Sequence, residues 1–163
     1  MAIDIIEKED KIKARTFEFV LMPDAWQDFQ TNQTKYPCCW KTVKLDDKHI
    51  LDPDLPEESG IYTLLVQPGI AEHPACSYLM YVGQTTNINR RFNDYLTTEK
   101  KTRKRPNIFR LLNIFDNKIW FCFTKVPREQ LTDYEDTIMN AYIPPVNDDN
   151  RLPAEIRSIR KAF

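Results

Sequence analysis

The sequence lacks the features that would place the protein in a membrane or send it through one. The 163-residue chain has no uninterrupted apolar run of the roughly 18 residues that a bilayer-spanning helix needs. Its start, MAIDIIEKED, has no basic region followed by an apolar stretch, so no secretory signal is predicted there. We therefore expect a cytoplasmic protein without a membrane partner, and reduced cysteines fit that compartment.

The chain as a whole also lacks a strong excess of charge, since its net charge is −1. One segment departs from this average. Residues 88–110, here called the basic segment, hold eight Lys or Arg against two acidic residues. Such a concentration is typical of a polyanion partner, although a solvated loop explains it equally well. The candidate nucleic-acid contacts in this segment are Arg90, Lys100, Lys101, Arg103, Lys104 and Arg105.

Apolar patterning predicts an α+β fold from residue 58 onward. Apolar, β-branched runs predict strands at SGIYTLLV, YLMYVGQT and KIWFCFTKV. Helices are predicted after the capping residue Asn87, from Pro106, and from Pro127 to about Tyr142. The order β-β-α-α-β-α predicts a small, mostly antiparallel central sheet flanked by helices.

The flanking segments are harder to interpret. Residues 14–22 (ARTFEFVLM) alternate enough to predict a strand that Pro23 ends, and residues 24–57 have no clear assignment. We expect an N-terminal extension of unknown role over 1–57, one domain over 58–148 and a C-terminal tail over 149–163.

Glycine is scarce, and two of the three glycines occupy matching places. Gly60 opens the first predicted strand in the triplet GIY, and Gly83 closes the second in the triplet YVG. Glycine in or beside a strand usually marks a bulge or a close approach of another group. The tyrosines of the two triplets, Tyr62 and Tyr81, would by themselves fit a packing role better than a chemical one.

The last predicted helix carries one acidic residue on its apolar face. On a helical wheel Glu135 falls between Leu131 and Met139, whereas the aspartates of this helix lie on the opposite face. A carboxylate that faces a core is costly unless it binds a cation or a partner, so a metal site and a structural salt bridge both explain it.

Arg91 has a comparable position on the shoulder of the first predicted helix, directed toward the sheet. Two tyrosines, one inward carboxylate and one arginine form a set that suits cleavage of phosphodiester bonds. That reaction needs a positioned water, a base, positive charge near the phosphate oxygens and a divalent ion.

The stretches SGIYTLL and YLMYVGQTTNINRRF resemble the GIY-YIG nuclease signature, with Val82 in place of the usual isoleucine. The spacing from Tyr81 to Arg91 and the ending DYEDTIMNAYIPPVN are similar to the nuclease domain of bacterial nucleotide-excision-repair endonucleases. The resemblance covers about residues 58–148.

This resemblance implies a role for each matching residue. Glu135 would hold a single metal ion, Mg²⁺ or Mn²⁺, which needs few protein ligands because it keeps several waters. Tyr62 would orient or deprotonate the attacking water, Tyr81 would hydrogen-bond in the same site, and Arg91 would neutralise the scissile phosphate.

Three further positions follow from the same resemblance. Asn147 would support the site by hydrogen bonds near Tyr62 and Glu135. Tyr95 falls where some members have histidine and so joins the catalytic set. Gln84 falls where some members have lysine, which leaves the general base open.

The function that the resemblance implies is a metal-dependent endonuclease, with DNA a better candidate than RNA as its partner. A homodimer or a partner protein would be compatible with this activity. The alternatives are a non-catalytic nucleic-acid-binding module on the same fold, and a ribonuclease.

Overall fold

A four-stranded sheet forms the centre of the structure, a computed structural model that describes residues 2–32, 39–50, 52, 54–69, 76–148, 150, 152, 154 and 156–158. The strands lie in the spatial order β1-β4-β2-β3, and every neighbouring pair is antiparallel. Their bounds are β1 (Lys41–Lys44), β2 (Gly60–Val66), β3 (Tyr78–Thr85) and β4 (Ile119–Lys125).

Helices pack on both faces of this sheet, so the predicted α+β fold is confirmed. They are α1 (Ala2–Arg15), α2 (Pro23–Asn32), α3 (Ile88–Asp94), α4 (Pro106–Ile114) and α5 (Leu131–Tyr142). Side chains alternate along β2: Tyr62 and Leu64 join a core with α3 and α4, while Ile61 joins a second core with α5. No helix in the described part of the chain is long and apolar enough to cross a membrane.

Local signals place the elements of the predicted domain. The side chain of Asn87 caps α3 by accepting a hydrogen bond from the backbone N–H of Arg90 at 2.7 Å, as predicted. Pro106 begins α4, also as predicted. Pro127 instead precedes a short 3-10 turn, so α5 begins at Leu131, a few residues later than expected.

The strand predicted over residues 14–22 is wrong. Helix α1 continues to Arg15, and residues 16–22 have no regular secondary structure. Their alternation has a different cause: Phe17 packs on the α3–α4 core, whereas Val20 and Met22 pack on the α5 core. Packing of an extended segment against two cores produces the same alternating pattern as pairing in a sheet.

Residues 1–57 contribute to the sheet and to the cores. Strand β1 pairs with β4, with Thr42 opposite Cys122. Helix α2 packs beside α5, and the rings of Phe29 and Tyr142 meet edge-on at a centroid distance of 5.7 Å. The segment that the sequence left without an assignment therefore supports the same sheet that carries the two tyrosine triplets.

Gly60 allows a close approach of the backbone, as its position in the sequence predicts. A Cβ at this residue would overlap the carbonyl oxygen of Thr124 and would lie 2.6 Å from Cδ1 of Ile88. The carbonyl belongs to strand β4 and cannot rotate away, so any larger residue must displace the backbone.

We expect Gly60→Ala to lower the free energy of unfolding by about 1–3 kcal/mol, because the added methyl overpacks a site with no room. Urea denaturation measures this change. Asn140→Ala, at an exposed position on α5, is the control and should change stability by only about 0.5 kcal/mol or less. A Gly60→Ala protein as stable as this control would contradict the close approach.

Candidate active site

Three tyrosines meet on the face of the sheet that α3 and α4 cover. The rings of Tyr62 (β2) and Tyr81 (β3) are 6.1 Å apart, and Tyr95, which follows α3, lies 5.8 Å from Tyr62. Phe121 of β4 stacks on Tyr62 at 5.0 Å and fixes the plane of its ring. The register of β2 and β3 shifts at Met80, and such a bulge redirects the side chains that follow it.

Gly83 makes room for the Tyr62 ring. The two residues are directly opposite each other in the β2–β3 pair. A Cβ at Gly83 would overlap the hydroxyl oxygen of Tyr62 and would lie 2.6 Å from its Cζ and 2.8 Å from Cε1 of Tyr81. The group that approaches this glycine is thus a side chain, whereas at Gly60 it is the backbone.

Arg91 joins two of the tyrosines through their hydroxyl groups. Its Nε donates to the Tyr62 hydroxyl at 3.0 Å and its Nη2 to the Tyr95 hydroxyl at 3.4 Å, while these hydroxyls are 3.0 Å from each other. Its guanidinium also lies over the Tyr95 ring, 4.6 Å from the centroid. The structure therefore brings Tyr62, Tyr81, Tyr95 and Arg91 together.

A π-helical turn, Tyr95–Glu99, continues α3 and adds an unpredicted residue to this group. Its wider hydrogen bond runs from the N–H of Lys100 to the carbonyl of Tyr95 at 3.2 Å. The turn places Glu99 beside Arg91 and Tyr95. Its side chain accepts hydrogen bonds from Arg91 Nη1 at 3.5 Å and from Arg105 Nη2 at 2.7 Å.

The sequence indicates no site role for Glu99, which is one of only two acidic residues within the basic segment. The spacing of residues 91, 95 and 99 is a signal for a shared face, but eight residues of an ordinary α-helix would turn Glu99 well away from Arg91. Only the π-helical turn, which the sequence pattern does not indicate, restores the contact.

Glu135 is buried in α5, with 1% of its surface exposed, as its place in the apolar stripe predicts. Its charge is close enough to Tyr81 to help raise the pKa of that phenol, behind the larger effects of burial and of Tyr62. This links the carboxylate to the tyrosine cluster across the sheet.

Asn147 is also buried, and its side-chain amide bonds to the backbone of β3. Its Oδ1 accepts from the N–H of Val82 at 2.9 Å, and its Nδ2 donates to the carbonyl of Val82 at 2.7 Å. These bonds hold the backbone of β3 next to Tyr81.

The chain reaches Asn147 through a strained residue. Ile143 ends α5 in the left-handed conformation, with φ 44°. A β-branched residue rarely adopts this conformation, which costs on the order of 1–3 kcal/mol. Burial of its side chain against the α5 core offsets this cost. The turn brings Val146 alongside β3, where its N–H donates to the carbonyl of Met80 at 3.0 Å.

The predicted nucleic-acid contacts divide into two groups. Lys100 forms an ion pair with Asp116, with 2.7 Å between Nζ and Oδ1. Arg105 is half-buried, and its Nη1 donates to the Tyr81 hydroxyl at 3.4 Å. The remaining four are exposed at the surface: Arg90, Lys101, Arg103 and Lys104. Arg105 therefore belongs with the tyrosines rather than with the exposed cations.

A cavity adjoins the cluster on the side of α4. Its volume is about 250 Å³, and its lining includes Tyr81, Lys104, Arg105, Asn147 and Asp148. Two of the predicted catalytic residues and two of the predicted nucleic-acid contacts therefore face the same space. Gln84, by contrast, lies on the opposite face and donates to Thr132 Oγ1 of α5 at 3.5 Å.

Burial keeps the phenols neutral, and the neighbouring tyrosines keep Arg91 charged. Burial raises the pKa of Tyr62, as does Tyr95, and the positive charge of Arg91 only partly opposes the rise. The pKa of Tyr95 is raised for the same leading reason. Burial lowers the pKa of Arg91, but Tyr95 and Tyr62 outweigh it and the net pKa is raised.

The donor set fits a magnesium ion. No group of three or more His, Cys, Asp or Glu gathers in the parts of the chain that the structure describes. That composition is unlike a structural zinc site, which takes four nitrogen or sulfur ligands. Mg²⁺ commonly binds through one or two carboxylates and keeps its other waters, so Glu135 could hold it.

Part of the chain matches a known domain family. Residues 70–147 match the model of the GIY-YIG catalytic domain, a segment that begins after Tyr62. No functionally curated protein matches the chain. This part of the chain is therefore similar to a catalytic domain, which agrees with the resemblance seen in the sequence and with the prediction of an enzyme.

Solved structures similar to this chain include the GIY-YIG N-terminal endonuclease domain of UvrC from Thermotoga maritima, bound to its catalytic magnesium. The two chains are 22% identical, and their alignment covers 62% of this chain and 93% of the UvrC domain. The TM-score is 0.43. Two point mutants of the same domain are 21% and 20% identical to this chain. Their alignments cover 62% of this chain and 92% and 93% of the mutant chains, with TM-scores of 0.43 and 0.42.

We expect the free energy of unfolding to fall as the pH rises above about 10, the ordinary pKa of an unfolded tyrosine. The folded pKa of Tyr62 is raised, so its contribution is complete below that pH and is lost as the pH rises toward the folded value. Removing the Tyr62 hydroxyl should therefore make the fall in the free energy of unfolding shallower by about 1.4 kcal/mol per pH unit.

Urea denaturation of the wild type and of Tyr62→Phe, between about pH 9 and pH 11.5, measures this slope. The variant should show the shallower slope. Equal slopes would mean that Tyr62 ionises in the folded protein as easily as in the unfolded chain.

Proposed function

We propose that this protein is a metal-dependent endonuclease that hydrolyses phosphodiester bonds of DNA, with one Mg²⁺ or Mn²⁺ ion at each site. The observation that carries the proposal is the contact between Arg91 and the hydroxyls of Tyr62 and Tyr95. An arginine held by hydroxyl groups on a sheet, close to a buried carboxylate, presents positive charge and proton donors to a single phosphate.

Each residue has a defined task in this proposal. The Tyr62 hydroxyl accepts a hydrogen bond from Arg91, and as a neutral phenol it positions the attacking water. To deprotonate that water it would first have to lose its own proton, which its raised pKa opposes. Tyr81 and Tyr95 add two further hydroxyl groups to the site, and Arg91 neutralises the phosphate oxygens.

Glu135 is the proposed metal ligand, and Asn147 is the proposed support of the strand beside it. When bound, the ion would supply charge neutralisation at the phosphate and a more acidic water. Asn147 holds Val82 by two hydrogen bonds and so keeps Tyr81 in place relative to Glu135.

The exposed cations of the basic segment supply affinity without sequence preference, because Lys and Arg bind phosphates of any sequence. DNA is preferred to RNA because the sequence resembles a DNA-repair nuclease. One site cuts one strand, so cutting both would need a homodimer or a partner protein. The cytoplasmic location stays a prediction.

Cleavage of labelled duplex DNA, single-stranded DNA and structured RNA, each in Mg²⁺ and in EDTA, tests this function. We expect DNA cleavage in Mg²⁺ alone. Glu135→Gln keeps the shape of the side chain but removes its charge, and it should lower the rate by about 10²-fold or more. Its binding of duplex DNA in EDTA should be unchanged or tighter.

The same variant tests metal binding without any cleavage. Mg²⁺ at 100 times its Kd should stabilise the wild type by about 2.7 kcal/mol, and Glu135→Gln should lose this effect. Cleavage of RNA alone would identify a ribonuclease. Binding without cleavage of any substrate would identify a non-catalytic module.

The hydroxyl groups of the site tyrosines should matter more than their rings. Tyr62→Phe and Tyr81→Phe keep the packing but remove a positioned proton donor, so each should lower the rate by about 10²-fold or more. Tyr142→Phe, on the exposed part of α5, is the matched control and should cut at the wild-type rate. Near wild-type rates in both site variants would assign these tyrosines to packing.

A further inference from the structure

We propose that Arg105 is a second phosphate-binding arginine of the active site, and that Glu99 occupies the phosphate position between Arg105 and Arg91 in the free protein. The proposal rests on the endonuclease function and refines it. The group formed by Arg91, Glu99 and Arg105 is called the Glu99 bridge.

The bridge is built around one carboxylate oxygen. Oε1 of Glu99 accepts from Arg105 Nε at 3.0 Å and from Arg105 Nη2 at 2.7 Å, and from Arg91 Nη1 at 3.5 Å. The other oxygen, Oε2, is buried and has no hydrogen-bond partner among the described residues. Two arginines thus converge on a single acid whose second oxygen is unsatisfied.

Arg105 differs in its surroundings from the other cations of its loop. Its guanidinium lies 5.6 Å from the Tyr95 ring centroid and 5.9 Å from that of Tyr81, and it donates to the Tyr81 hydroxyl. Arg103, two residues earlier, is exposed and lies over Phe109 instead. Arg105 also borders the cavity that Tyr81 and Asn147 line.

A phosphodiester has the charge and the oxygen geometry that this position selects. Like a carboxylate, it carries one negative charge and presents two oxygens to the paired N–H groups of a guanidinium. The free protein therefore holds an internal anion where a substrate phosphate would contact both arginines. Because the Arg91 contact is the longest of the three, Arg91 is the arginine that a phosphate would take over first.

The bridge predicts an effect of charge-conserving substitutions that a merely solvated basic loop does not. Lysine keeps the charge of Arg105 but cannot contact Glu99 and Tyr81 together or bind a phosphate through two N–H groups. We expect Arg105→Lys to lower kcat/KM for duplex DNA by about tenfold or more, since contacts to a charged partner are lost.

Arg128→Lys is the matched control and should remain within about twofold of the wild type, because Arg128 is an exposed arginine outside the basic segment. The salt dependence of binding should be the same in both variants. Equal kcat/KM for Arg105→Lys and Arg128→Lys would overturn the proposal and return Arg105 to the general basic surface.

Glu99→Gln tests the second half of the proposal. It keeps the size of the side chain but removes the internal anion, so duplex DNA should bind several-fold more tightly in EDTA. The log–log salt slope should steepen by about 0.9, the value of one additional phosphate contact. Asp116→Asn, which removes the acid paired with Lys100, is the control and should change binding less.

Binding in EDTA separates failure of this proposal from failure of the proposed function. A wild type that binds but does not cut would refute the endonuclease, while tighter binding by Glu99→Gln than by Asp116→Asn would still support the bridge. Equal binding by the two acid variants would overturn it, whether or not the wild type cleaves DNA. Thermal melts of all four variants confirm that the folds compared are intact.

Discussion

The hydrogen bond between the Arg91 guanidinium and the Tyr62 hydroxyl is the contact on which the rest of the site depends. It places a charged group against an apolar core, where an unpaired charge would be costly. Hydroxyl groups, aromatic rings and the Glu99 carboxylate together satisfy that charge. This arrangement also fixes the position of the Tyr62 ring. Because that ring occupies the space next to Gly83 of β3, a side chain cannot fit at this position.

Two cores on opposite faces of the sheet make this geometry stable. Phe121 and the helices α3 and α4 hold the tyrosines from one side, while α5 holds Glu135 from the other. Asn147 connects the two sides, because it follows α5 in the chain and bonds to the backbone of β3. The site residues are therefore held by the sheet rather than by a mobile loop, so their charges and hydrogen-bond donors are pre-organised.

The sequence predicts most of the residues that the structure gathers, because their positions follow from strong local periodicities. Tyr62, Tyr81 and Arg91 lie on regular strands and on a capped helix, and Glu135 stands out as an acid in an apolar stripe. Glu99 could not be predicted, since a π-helical turn changes the helical register without a signal in the pattern. Strand β1 is too short for a period-two pattern, and residues 16–22 imitate one through packing alone.

Asn147 has a consequence for solubility as well as for the geometry of the candidate site. Strand β3 is the last strand on its side of the sheet, and an unprotected edge of this kind invites pairing with another molecule. The amide of Asn147 and the N–H of Val146 occupy the outer backbone groups of Val82 and Met80. At the opposite edge, β1 is only four residues long and begins and ends with lysine, which discourages such pairing. Asn147, which lies beside the proposed metal site, therefore also protects this edge of the sheet against pairing with another molecule.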